Sequence, residues 1–305
     1  MNSVIEVDSK PLRRQVDLPP VERRSKNTDL GCVRDFLGGN RFVYAFISSR
    51  AGGLSVGVNM NPDKFCDFNC LYCEVNRDKP ARETTLDVAA MAAELDRTLR
   101  LVHSGQIRLL PHYERLPAEL LKLRHVALSG DGEPTLCPCF AEAVEAVVHV
   151  RARCGFPFFK LVLITNASGL DRPEVQHGLC FFRPQDEVWA KLDAGTQEYM
   201  DRVNQPGCCL EKILANILNL ARQRPVVIQS LFPAINGEGP PPDEIEAFVG
   251  RLNQLKTEGA RISLVQIYSA TRPTLHSECG HLPLRALAAI ARCVREATGL
   301  KAEVF

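Results

Sequence analysis

No stretch of this chain approaches the roughly 18 uninterrupted apolar residues that a membrane span requires. The opening residues MNSVIEVDSKPLRRQVDLPP hold no apolar core of signal-peptide length. We therefore expect no membrane association and a cytoplasmic location. Net charge is almost absent as well: 37 Lys and Arg against 36 Asp and Glu leave +1. The chain as a whole thus exerts no pull on nucleic acid or an anionic membrane, although a local basic patch stays open. There is no internal repeat and no low-complexity tract. Cysteine, by contrast, is plentiful, with 12 residues. Without a signal peptide, a secreted disulfide scaffold is not expected at this length. Most of these cysteines should be buried thiols that behave as small hydrophobes. The 45% hydrophobic and 24% charged content is that of a globular chain with a full core. A length of 305 residues suits an α/β barrel folded as one domain.

Residues 1–40 mix charge and proline with few aromatics, and read as an N-terminal extension that is partly disordered. From residue 41 to 305 the pattern becomes strand, loop, helix, repeated. Strands are expected at LSVGVNM (54–60), HVALS (125–129), KLVLITN (160–166), EVWAKLD (187–193), PVVIQSLF (225–232) and ISLVQIYS (262–269). Helices follow, the first with a start signal at Thr84, Thr85 and Asp87. The closing KAEVF reads as a last short strand. Apolar strands alternating with amphipathic helices imply a parallel sheet covered by helices. Six βα units are too few for a closed eight-stranded barrel. The expected fold class is α/β, a partial (βα)6 TIM-like open barrel with its site at the C-terminal ends of the strands.

The loop after the first expected strand reads KFCDFNCLYCEV, placing Cys66, Cys70 and Cys73 in a C-x-x-x-C-x-x-C pattern. Thiolates favour zinc or iron–sulfur clusters. Structural zinc takes four protein ligands, usually as two spaced pairs, and a second C-x-x-C pair is missing here. A four-iron cubane suits three cysteines better, because one iron then stays open for a small molecule. Three unrelated buried cysteines are the alternative. Downstream, LSGDGEPTL sets Gly130 and Gly132 around Asp131, which lets backbone approach a ligand. Glu133 could accept hydrogen bonds from an ammonium group. Polar residues cluster at the strand ends, among them Asn166, Lys191, Asp193, Gln229 and Tyr268. Lys191 could pair with an anionic substrate, or form a Schiff base if desolvation lowers its pKa. Arg50, on a glycine-rich turn, could clamp a carboxylate or phosphate.

The cysteine motif, with Tyr72 as the aromatic before Cys73, resembles the signature of radical S-adenosylmethionine (radical SAM) enzymes. The resemblance implies one 4Fe-4S cluster on Cys66, Cys70 and Cys73, with SAM chelated at the open iron. It implies an electron donor such as flavodoxin or ferredoxin, reductive cleavage of SAM to a 5′-deoxyadenosyl radical, and hydrogen abstraction from a substrate. It also implies the partial barrel. Gly130, Asp131, Gly132 and Glu133 resemble the family's GGE element, which holds the methionine amino group, with an Asp inserted between the glycines. By the same resemblance, Tyr72 and the backbone near Tyr268 meet adenine. Asn166 and Asp193 contact ribose or carboxylate, Gln229 joins the SAM site, and Lys191 touches substrate, while Arg50 is a candidate substrate contact on its residue type and turn alone. FNCLYCEV, SGDGEPTL, KLDAG, VNQP and VQIYSATRP are most similar to the wyosine-synthase-like branch, whose known members modify guanosine in transfer RNA. The N-terminal second-cluster cysteines of that branch are lacking, since only Cys32 precedes Cys66. With the chain ending after its sixth unit, no auxiliary-cluster or cobalamin domain is expected. The substrate stays open between a small molecule, a peptide and RNA. A wyosine-type RNA enzyme and a non-enzymatic metal- or cluster-binding protein remain the alternatives.

Overall fold

The computed structural model describes residues 34–153, 155–272 and 274–305. The greater part of the expected N-terminal extension, and with it Cys32, lies outside the described residues. β1 (Val43–Ser48) and β2 (Gly53–Asn59) form an antiparallel hairpin. β2 then starts a parallel series with β3 (Leu123–Ser129), β4 (Lys160–Thr165), β5 (Glu187–Lys191) and β6 (Val226–Leu231). A two-residue strand, β7 (Ala234–Ile235), follows, and β8 (Ile262–Tyr268) pairs with β6. β9 (Cys279–Gly280) pairs with β7, apart from the main sheet. β10 (Ala302–Val304) adds a short parallel edge to β8. The main sheet runs β1-β2-β3-β4-β5-β6-β8-β10.

The six strands expected from sequence are β2, β3, β4, β5, β6 and β8, and KAEVF supplies β10. The helices between them are α1 (Val88–His103), α2 (Phe140–Arg153), α3 (Pro173–Leu179), α4 (Gln197–Val203), α5 (Leu210–Gln223), α6 (Pro242–Thr257) and α7 (Leu284–Thr298). Asp87 caps α1, its carboxylate accepting from the Ala90 N–H at 2.9 Å. Gly299, at φ +68°, closes α7 in the left-handed conformation that only glycine adopts without cost. β1, α4 and the β7–β9 pair are additions to the sequence reading. VYAFIS carried the β-branched and aromatic signature of a strand, and the turn residues before Gly53 marked its hairpin.

Alternation along the strands sends one set of side chains to the helices and the other into the lumen of the open barrel. Val56, Val58, Val126, Leu128, Leu161 and Leu163 join the main core under the helices. Val162, Trp189 and Val227 pack on the opposite face, with Ile164 and Leu264 against them. These residues fill the floor of the lumen. His125 lies edge-on to Trp189 at 5.3 Å between ring centroids. β1 is fastened to α1 by one buried side chain. Glu94 accepts the backbone N–H groups of Arg41, Phe42 and Val43 at 3.0, 2.8 and 3.1 Å. Residues 34–40, assigned from sequence to the extension, pack here too: Asp35 bridges to Ala45, and the Phe36 ring lies 5.4 Å from that of Tyr44.

No helix among the described residues is long and apolar enough to cross a membrane.

Candidate active site

The loop leaving β2 carries Cys66, Cys70 and Cys73, and all three line one cavity of about 330 Å³. Its backbone is pinned on two sides. The Asn69 N–H donates to the Asn204 carbonyl at 3.1 Å and the Leu71 N–H to the Val203 carbonyl at 2.9 Å. On the other side the Glu133 N–H donates to the Phe65 carbonyl at 2.9 Å. Gly132 permits that crossing, since a Cβ there would lie 1.9 Å from the Phe65 carbonyl oxygen. Gly130, at φ +139°, passes equally close to Asn59, with 2.2 Å between an added Cβ and Asn59 Oδ1. The two glycines thus let the β3 loop and the cysteine loop interlock.

Each cysteine sulfur has a nitrogen donor. The Phe68 N–H reaches Cys66 Sγ at 3.5 Å, Asn204 Nδ2 reaches Cys70 Sγ at 3.5 Å, and Arg77 Nη1 reaches Cys73 Sγ at 3.7 Å. Burial pushes the free Cys66 thiol up to about 12 and that of Cys70 up to about 11. Ligation is the ordinary way to deprotonate such thiols. Sulfurs with N–H donors suit an iron–sulfur cluster, whose properties such bonds tune. Among the described residues, no three His, Cys, Asp or Glu side chains gather as the ligands of a single metal ion would. Cys137 and Cys139 approach to 3.6 Å between sulfurs, but neither lines the cavity.

The β3 loop contributes Gly130, Asp131, Gly132 and Glu133 to the same cavity wall. Glu133 is 3% exposed and already well supplied with donors. Its Oε1 accepts from the Thr135 N–H, the Thr135 hydroxyl and the Thr165 hydroxyl, and its Oε2 from the Asn166 N–H. The carboxylate therefore ties β3 to the end of β4. Asp131 pairs with Arg34, which also donates to the Gly130 carbonyl at 3.1 Å, and accepts from Asn59 Nδ2 at 2.8 Å. Asn166 lines the cavity, with its Nδ2 on Asp67 at 2.8 Å.

Lys191 and Tyr268 face the cavity from β5 and β8. Lys191 Nζ lies 3.3 Å from Asp193 and 3.3 Å from the Tyr268 hydroxyl. It also lies over the Tyr72 ring at 4.8 Å. Burial alone would lower the lysine pKa, but Asp193, then Tyr268 and Cys70, raise it above the usual value. In this arrangement Lys191 is held as a cation by Asp193, so the lowered pKa on which the sequence-based Schiff-base option depends is not present here. Asp193 and Gln229 do not line the cavity. Asp193 is buried behind the wall, where Tyr72, Asn204, Lys191 and the Leu231 N–H all donate to it. Gln229 is 1% exposed and bonded to Gln266 at 2.8 Å. Arg50 does line the cavity, stacked on the Tyr268 ring at 4.4 Å.

Asn204, which bonds Cys70, Tyr72 and Asp193 at once, was not singled out from sequence. Arg34 and the Arg272–Glu74 pair were likewise missed. Glu74 follows Cys73 directly, and Asn204 and Arg272 lie in the VNQP and VQIYSATRP segments, but these are ordinary polar residues whose partners are set only by the fold.

No known protein-family model matches this sequence. Curated proteins with detectable similarity include a UPF0026 protein of Helicobacter pylori strain J99, 28% identical over 187 residues, covering 59% of this chain and 52% of that protein. Another is a UPF0026 protein of Synechocystis, 25% identical over 178 residues and covering 57% of each. The chain thus spans about half the length of the curated relatives it matches. Among solved structures, TYW1 with a lysine–pyruvate adduct bound superposes with a TM-score of 0.55 at 15% identity, covering 85% of each chain. Streptococcus suis SuiB bound to S-adenosylmethionine gives 0.52 at 13% identity, covering 84% of this chain and 48% of that one. A point mutant of spore photoproduct lyase gives 0.51 at 10% identity, covering 88% of this chain and 79% of that one. At these identities the likeness establishes the fold, the open TIM-type barrel expected from the βα count.

Proposed function

We propose that this chain is a radical SAM enzyme, that residues 41–305 form its catalytic core, and that Cys66, Cys70 and Cys73 hold its cluster. The observation that carries the reading is convergence. Three thiols from the β2–α1 loop and the Gly130–Glu133 loop of β3 line one cavity at the C-terminal ends of a parallel sheet. A 4Fe-4S cluster on three thiolates supplies, when bound, an open iron for SAM and the electron that cleaves it to a 5′-deoxyadenosyl radical, which takes hydrogen from the substrate.

The chain's own residues have separable tasks in this reading. Phe68, Asn204 and Arg77 donate to the sulfurs and hold the loop's shape. Glu133 and the two glycines set the β3 loop against the cysteine loop, so that backbone carbonyls there can receive the SAM ammonium. Asn166 offers a cavity-facing amide, and the Tyr72 and Tyr268 rings offer flat faces for adenine. Asp193 and Gln229 act from behind the wall, fixing Tyr72, Lys191 and Gln266. The SAM bound in the SuiB structure supports this cofactor on the shared fold. An electron carrier such as flavodoxin or ferredoxin completes the requirement. The fold likeness to TYW1 does not transfer a substrate.

Anaerobic reconstitution with iron and sulfide should give a brown protein with about four irons per chain. Dithionite and SAM should then release 5′-deoxyadenosine. Replacing any one of the three cysteines by alanine should abolish that release. A colourless reconstituted protein would overturn the proposal.

A further inference from the structure

The cavity wall carries five cations, Arg34, Arg50, Arg77, Lys191 and Arg272. Four have polar partners. Arg34 is paired with Asp131 and Arg272 with Glu74. Lys191 is held by Asp193, and Arg77 bonds the Lys64 carbonyl and Cys73. Arg50 differs: its Nε is buried and has no hydrogen-bond partner. Its position is nonetheless fixed, because its guanidinium lies on the Tyr268 ring at 4.4 Å and the Tyr268 hydroxyl is bonded to Lys191. Tyr268 is thus flanked by two cations, and Lys191 continues to the Tyr72 ring beside Cys73. The row runs from the cluster loop to Arg50 along a single wall.

Two buried groups on the strands behind Arg50, His125 and Ser55, add no negative charge. His125, in the lumen, is 1% exposed with both ring nitrogens unpartnered. Burial, then Lys160 and Arg50, push its pKa down to about 3, so it is neutral. Ser55, its register partner on β2, has a buried hydroxyl that is also without a partner. A buried guanidinium N–H without an acceptor is costly. A planar oxyanion meets that need by bidentate hydrogen bonding, and stacking on an aromatic face leaves the edge of the fork available.

We propose that Arg50 is the substrate anchor of this cavity and that the substrate carries an oxyanion, a carboxylate or a phosphate. The proposal rests on the radical SAM reading for the word substrate, but the site itself is a property of the protein without cluster or SAM. Lys191 contributes to the field, while its pairing with Asp193 leaves Arg50 as the group that takes the anion. The reacting carbon of the substrate then lies between this anchor and the cysteine loop.

Binding to the 305-residue chain can be read without turnover. Inorganic phosphate and acetate, titrated separately by calorimetry, distinguish the two oxyanion types, and at least one should bind. Arg50→Gln should weaken that binding by about tenfold or more, the scale of one charge-assisted contact. Arg50→Lys should recover part of the phosphate affinity, because charge survives while the fork is lost. Unchanged circular dichroism of both variants would show that they fold. Lys122→Gln, which removes an exposed cation outside the cavity, should leave anion binding nearly intact. In the reconstituted protein, anion and SAM should bind together. Absence of binding by the unmodified chain, equal loss in the Arg50 and Lys122 variants, or displacement of the anion by SAM would each overturn the proposal. Failure of SAM cleavage with anion binding intact would remove the enzyme reading and leave the oxyanion site standing.

Discussion

His125 sits buried with neither ring nitrogen satisfied, an unusual environment for its type. It has no hydrogen-bond partner, lies against Trp189, and is held neutral by burial and by the charges of Lys160 and Arg50. Its folded pKa of about 3 lies below the ordinary histidine value of 6.5. The unfolded chain therefore binds the proton more readily, and stability present above about pH 6.5 is lost as pH falls towards 3. The expected loss is on the order of a few kcal/mol, and denaturant midpoints measured from pH 7 to pH 4 should show it. A His125→Phe variant should flatten the slope in that window. An identical slope in the variant would assign the acid sensitivity to other groups.

At the scale of elements, two contacts fix the site's framework. Glu94 on α1 holds three consecutive backbone N–H groups at the entry to β1. Glu94→Ala leaves those buried donors without an acceptor. It should cost at least about 2 kcal/mol in urea unfolding, with amide exchange rising first along Val43–Ser48. Gly132 lets the β3 loop pass under the cysteine loop. Gly132→Ala places a methyl group against backbone that has no rotamer by which to retreat, and overpacking of this kind costs about 1–3 kcal/mol. Because the strain falls on Phe65, next to Cys66, iron retention after reconstitution should drop more than overall stability does. Wild-type iron content in that variant would refute the coupling of the two loops.

Across the whole molecule, the cysteine loop connects distant parts of the chain. It contacts the end of α4 through Asn69 and Leu71 and the β3 loop through Phe65. A cluster bound by its three thiols would link these segments in the folded state alone, so occupancy should stabilise the entire barrel. Melting of the reconstituted protein should occur several degrees higher than after chelation of its iron. An unchanged melting temperature with full iron would place the cluster outside the cooperative unit. The near-zero net charge conceals the arrangement in the cavity, where cations outnumber the lining acids Glu74, Asp131 and Glu133. Composition averages over the molecule, whereas binding responds to local potential.

The sequence alone specifies the six parallel strands of the βα units, the start of α1 and the loop that carries the three cysteines. Each depends on local periodicity or spacing, as the Asp87 cap and the near-residue agreement of β8 with ISLVQIYS show. It did not reveal β1, although VYAFIS had a strand's composition, because the βα rhythm set the frame for reading it. Which polar strand ends face the cavity is set by the packed fold. Asn166, Lys191 and Tyr268 line it, while Asp193 and Gln229 turn inward to partners 38 and 37 residues away, Leu231's N–H being one and Gln266 the other. Arg50 and Tyr268 stand far apart in sequence and stack in space. Spacing along a chain encodes how an element is built. Where its side chains end depends on strand register and on which neighbours leave a hydrogen bond unmade.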